Sequence, residues 1–170
     1  ILDIDFLHPF GVVLFSPGGG TIPEDFPHAY FRMLRWQPGA ERAEFTPGIS
    51  LTLAPFFGSI GVAPPPIAGR ISSRPPGGHG GNLDNKDLVS GSTLYLPVHV
   101  PGAILAVGDG HAMQGDGEVT GTALETSLRG TLEVHVRKGM RLGWPRAETP
   151  THYISMGLHE DLDEATRLAT

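Results

Sequence analysis

The stretch STLYLPVHVPGAILAV, Ser92 to Val107, decides the fold class. Leu94, Leu96, Val98 and Val100 alternate with Tyr95, Pro97 and His99, the period-two pattern of a strand with one buried face. Pro101-Gly102 supplies a turn, and Ala103–Val107 continues as an apolar strand. The pattern recurs on both sides. Residues 1–15 lead into Val12–Phe15, Ile49–Leu53 forms another short strand, and Ala29–Trp36 suits a strand or a short helical piece. Glu118–Leu128 and Thr131–Arg137 read as two strands joined near Arg129-Gly130, with Leu132, Val134 and Val136 facing inward.

Composition agrees. Gly (24) and Pro (16) approach a quarter of 170 residues while charged residues fall to 18%, which suits short strands and tight turns rather than a helical bundle. Only Asp161–Thr170 has helical composition, whereas residues 55–66 are apolar but too often broken for a regular helix. The expected fold is mainly β, a sandwich or distorted barrel with a C-terminal helix, in a single domain over residues 1–170.

The same composition excludes several functions. Cysteine is absent, which removes disulfides, thiolate zinc sites and a cysteine nucleophile, and fits a reducing cytoplasm. The net charge of −6 comes without a basic cluster, so nucleic acid is not an expected partner, and no apolar run reaches membrane-spanning length. Neither a G-x-S-x-G elbow nor a P-loop occurs.

Two polar clusters flank the Ser92–Val107 segment: His79, Asn82, Asp84, Lys86 and Asp87 before it, and Asp109, His111, Gln114, Asp116 and Glu118 after it. A fold-back at Pro101-Gly102 allows both to emerge on one side. Asp109-x-His111 and Asp116-x-Glu118 each put two ligand-type side chains on one face of an extended chain. Such a set fits zinc or another divalent ion that activates water and polarises an amide carbonyl, with a remaining carboxylate moving the proton. By spacing alone the same residues also fit a calcium loop without EF-hand periodicity, or plain solvated turns. His99 and His135 read as surface residues of strands.

Four segments resemble the acetamidase/formamidase family in order and spacing: ILDI at 1–4, GGHGGNLDNKDL at 77–88, LYLPVHVPGAILAVGD at 94–109 and HAMQGDGEVTGTALE at 111–125. The resemblance implies a cytoplasmic enzyme with a β-sandwich and added helices. It would hydrolyse formamide, acetamide or related short amides with a divalent metal, usually zinc. Carried over, it points to Asp84, Asp109, His111 and Glu118 for metal and proton transfer, with Glu118 and Asp109 catalytic. Asn82 and Gln114 would orient the substrate amide, since each offers a donor and an acceptor.

Family proteins are longer, so the chain is expected to represent their central portion, without the N- and C-terminal regions. Its expected partners are the small amide, a second copy of itself, or the remaining segments of the enzyme. Two other functions fit the same residues: a non-catalytic or incomplete scaffold whose site another chain completes, and a calcium-stabilised binding module.

Overall fold

The computed structural model describes residues 1–170. Thirteen strands follow in order: β1 (Asp3–Phe6), β2 (Phe10–Phe15), β3 (Tyr30–Arg35), β4 (Arg42–Thr46), β5 (Ile49–Thr52), β6 (Phe56–Gly61), β7 (Gly80–Asn82), β8 (Thr93–Tyr95), β9 (Ala106–Met113), β10 (Leu124–Glu125), β11 (Leu128–Thr131), β12 (Arg146–Glu148) and β13 (Tyr153–Ser155). One helix, α1 (Leu162–Ala169), closes the chain. Its N-cap Asp161 accepts a hydrogen bond from the Glu164 amide, as a helix start requires. No helix is long and apolar enough to cross a membrane. The mainly β architecture with a terminal helix is therefore as expected.

The central sheet has six antiparallel strands in the order β3-β2-β10-β9-β6-β7. Around it lie the pair β1-β11, the three-stranded sheet β13-β12-β8 and the hairpin β4-β5. One apolar core gathers Ile4, Phe57, Ile60, Leu88, Ala147 and Met156. A second gathers Leu34, Trp36, Ala43, Ala112 and Leu124. Strand β6 gives Phe57 and Ile60 to the first core, while β9 gives Ala112 to the second and packs Val107 against the first.

Strand β6 lies in the apolar stretch expected to be too broken for a regular helix. All of FFGSIG except Ser59 is buried. Its glycines are what permit this burial. A Cβ on Gly61 would meet the Gly81 amide nitrogen at 2.5 Å, so neighbouring backbones approach where a side chain would stand.

Two expectations need correction. Residues Ser92–Val107 do not form continuous strands; only Thr93–Tyr95 and the segment from Ala106 pair. Pro97 and Pro101 lack the amide a ladder needs, and Ala103 and Ile104 take left-handed backbone angles, φ 56° and 57°. Nor do residues around Arg129-Gly130 form a hairpin turn. They lie inside β11, which pairs antiparallel with β1. Val134 and Val136 are 67% and 79% exposed instead of facing a core.

Candidate functional site

His111 in β9 is the centre of the site. Its ring is fully buried and stands edge-on to Phe56 of β6, with centroids 5.0 Å apart. Its tautomer follows from Gln114. The Gln114 Nε2 donates to the Asp84 carbonyl at 2.8 Å, which turns Oε1 toward the imidazole, 3.0 Å from Nδ1. A carbonyl oxygen only accepts, so Nδ1 carries the hydrogen. In the neutral ring Nε2 is then a bare lone pair. It faces Asp109 Oδ1 at 3.3 Å, Glu125 Oε2 at 3.4 Å and Glu118 Oε1 at 3.6 Å, and has no hydrogen-bond partner. Lone pair against carboxylates is repulsive unless a positive charge lies between them.

The carboxylates are oriented from behind. Asn82 Nδ2 donates to Asp84 Oδ2 at 3.0 Å, leaving Asp84 Oδ1 buried and unpartnered. Ser59 Oγ donates to Asn82 Oδ1 at 2.8 Å and lies 3.3 Å from Asp109 Oδ2. The Ala123 amide donates to Glu125 Oε1 at 2.9 Å and also reaches Glu118. Within the sets Asp84–His111–Glu118 and Asp109–His111–Glu125, the ligand atoms all lie within 4.8 Å of one another.

Electrostatics point the same way. Burial, followed by the charge of Glu118, raises Asp84 to about 6. Glu118 and Glu125 are also raised, burial being the largest cause for each. No lysine or arginine offsets them. The nearby Lys86 is paired with Asp116 at 2.6 Å on the exposed rim.

Two backbone features fit an ion at this point. Asp84 and Asp109 adopt left-handed angles, φ 45° and 62°, a costly conformation for a residue with a side chain, held here by the surrounding sheet. Gly58 of β6 falls opposite Asp109, between the pairs Phe57↔Gly110 and Ser59↔Gly108. A Cβ there would stand 2.6 Å from Asp109 Oδ2, 2.7 Å from His111 Cε1 and 2.8 Å from Asp84 Oδ1. The missing side chain leaves room at the convergence of these groups. An orphaned imidazole nitrogen, unneutralised carboxylates and this small hollow together fit a divalent cation bound by one nitrogen and several oxygens.

Of the residues expected from sequence, Asp84, Asp109, His111 and Glu118 converge. Asn82 and Gln114 lie directly behind them, hydrogen-bonded to Asp84 and His111. Asp116 stands outside on the rim. His79 lies apart, within the influence of His99, and burial and that neighbour lower its pKa. His99 is half-buried with an unpartnered Nε2 rather than a surface residue, while His135 is exposed. Sequence reasoning missed Glu125, Gly58 and Ser59. Glu125 arrives through the antiparallel pairing Glu125↔His111, beside a register shift that no spacing rule anticipates.

Residues 68–147 match the profile described as the Acetamidase/Formamidase family. The formamidase of Methylophilus methylotrophus is 54% identical over 46 residues, 27% of this chain and 11% of that protein. The crystal structure of acetamidase from Bacillus halodurans superposes with a TM-score of 0.85 at 38% identity, covering 97% of this chain and 54% of that one. Acetamidase from Yersinia enterocolitica gives a TM-score of 0.77 at 30% identity, covering 99% of this chain and 53% of that one. The chain thus spans about half the length of these solved relatives.

Proposed function

We propose that the chain is a member of the acetamidase/formamidase family, which its matching segment and its superposition on solved acetamidases support, and that its cluster hydrolyses short amides to carboxylate and ammonia with a divalent cation in place. One observation carries the reading: the buried Nε2 of His111, fixed as a lone pair by Gln114 and facing Asp109, Glu118 and Glu125 with no hydrogen-bond partner. Zinc is the first expectation for the ion and calcium an alternative, and the oxygen-rich donor set also suits harder ions. When bound, such an ion supplies an acidified water and a polarised amide carbonyl.

The chain's own residues do the rest. His111 Nε2, Asp109 Oδ1, Glu125 Oε2 and Asp84 Oδ1 would hold the ion, each with its other polar atom directed to a neighbour. Glu118 is the proton carrier. It takes the proton of the attacking water, then delivers it to the amide nitrogen as the C–N bond breaks, so that ammonia leaves neutral. Burial already raises the Glu118 pKa, which suits a group that must both accept and release a proton. Asn82 and Gln114, expected to orient substrate, contribute in this reading by orienting Asp84 and His111.

Ammonia release from formamide and acetamide, measured before chelation, after it, and after metal is restored, tests the proposal. Loss on chelation and recovery on restoration are expected, and full activity in demonstrably metal-free protein overturns the mechanism. A second reading is an incomplete scaffold whose site another chain completes, favoured by the span of about half of the solved relatives. Turnover by the purified 18.1 kDa chain alone would exclude it.

A further inference from the structure

The segment Leu132–Arg137 has the most regular strand sequence in the molecule and no partner. It follows β11 directly, yet none of its backbone amides or carbonyls makes a backbone hydrogen bond. Its apolar face bears Val134 and Val136, 67% and 79% exposed. Its other face bears Glu133, His135 and Arg137, with Glu133 Oε1 3.3 Å from His135 Nε2, the spacing of i, i+2 neighbours on an extended chain. Two exposed β-branched residues beside a row of free backbone donors and acceptors form a template for strand addition.

The sequence specifies what would pair there. Laid antiparallel on a copy of itself about a two-fold axis at His135, Leu-Glu-Val-His-Val-Arg becomes complementary. Glu133 stands opposite Arg137 of the copy, Val134 opposite Val136, and His135 opposite itself. Opposite charges and β-branched pairs facing across a ladder are each favourable, whereas a shift of one residue sets either Glu133 opposite Val136 or Arg137 opposite Val134. A two-fold axis forms every such contact twice. We propose that residues 132–137 form an intermolecular antiparallel strand pair with a second copy of this chain. The pair uses none of the cluster around His111, so it stands or falls independently of the amidase reading.

Charge reversal tests it, because the segment takes no part in the internal hydrogen-bond network; Arg137 lies over the Tyr95 ring at 5.3 Å, so circular dichroism of each variant checks that the fold is kept. Sedimentation equilibrium over a concentration series should show a monomer–dimer equilibrium. Glu133→Arg alone and Arg137→Glu alone should each weaken it about ten-fold by setting like charges opposite each other twice, and the double variant should restore it. Hydrogen exchange should slow at the amides of 133–137 as concentration rises. A monomer at every soluble concentration overturns the proposal, as does a dimer that ignores both reversals or lacks rescue by the double variant. Slow exchange of these amides in a monomer also overturns it, since the partner strand would then lie within the chain.

Discussion

Strand β6 and the segment Leu132–Arg137 are opposites. The first, FFGSIG, has two glycines and no alternation, yet lies at the heart of the six-stranded sheet with neighbours on both edges. The second alternates faultlessly yet pairs with no strand, although Arg137 lies over the Tyr95 ring. Alternation records what a strand prefers on its two faces, while burial depends on what approaches its edges and faces. Glycine in β6 admits close neighbours, including Asp84, Asp109 and His111 packed against Gly58. Valine in 134 and 136 supplies propensity without a neighbour to use it.

The contrast can be strained first at its chemical end. Glu118→Gln keeps the shape of the carboxylate but cannot carry a proton, so kcat should fall by about 10²–10⁴. Cation affinity, measured by calorimetry, should fall far less. An equal loss of both would make Glu118 chiefly a ligand.

Next is Gly58→Ala. No left-handed angle is imposed there, so the backbone accepts alanine, but the new methyl occupies the hollow beside Asp84, Asp109 and His111. Cation affinity should drop about 100-fold, comparable with the upper range for disturbed ligand orientation. Circular dichroism should remain that of the native protein. Native affinity in this variant would show that the hollow does not serve the ion.

The dependence on pH comes third. Asp84 titrates near 6 in the fold against 3.8 as a free side chain, so between these values the folded state binds more protons than the unfolded one. Stability of the metal-free protein therefore falls as pH rises through this window, and the cost is fully present above it. After allowance for solvent screening the effect is on the order of 1 kcal/mol, or about 2–4 °C in Tm. A divalent cation favours the ionised form, so its stabilising effect in thermal melts should be larger at pH 7 than below pH 5. An equal effect at both would remove Asp84 from the ligand set.

Smallest of all is Val136→Ala. In dilute protein its effect on unfolding free energy should stay within about ±0.5 kcal/mol, as for an exposed position. A loss above 1 kcal/mol under those conditions would mean that the strand is already covered.

What the sequence revealed of the site follows the same division. Asp109-x-His111 was legible because both lie on one strand, although the left-handed turn of Asp109 within it was not. Asp84 and Glu118 stood out as acidic residues in glycine-rich turns. Glu125 could not be singled out, because only the antiparallel pairing of β10 with β9, with its register shift, sets it beside His111. Gly58 contributes by lacking a side chain, and nothing in FFGSIG says which glycine faces a cluster. The overall β class and the helix at 162–169 could be read from turn residues and from helical composition. Pairing partners could not, and the supposed hairpin at Arg129-Gly130 failed for that reason, since β1 lies more than a hundred residues away in sequence and alternation says nothing of it.

Gln114 joins what the chain keeps far apart. One end of its amide fixes the imidazole of His111 and the other grips the carbonyl of Asp84, thirty residues earlier. The two loops are thereby interlocked, and neither can drift without releasing the other's chemistry. The clasp depends on polarity as well as shape. Glutamate at this position would nearly match it in outline but present an oxygen to the Asp84 carbonyl, turning a clasp into a wedge. A single exchange of nitrogen for oxygen, far subtler than loss of any ligand, would unlatch the site while leaving every ligand in the sequence.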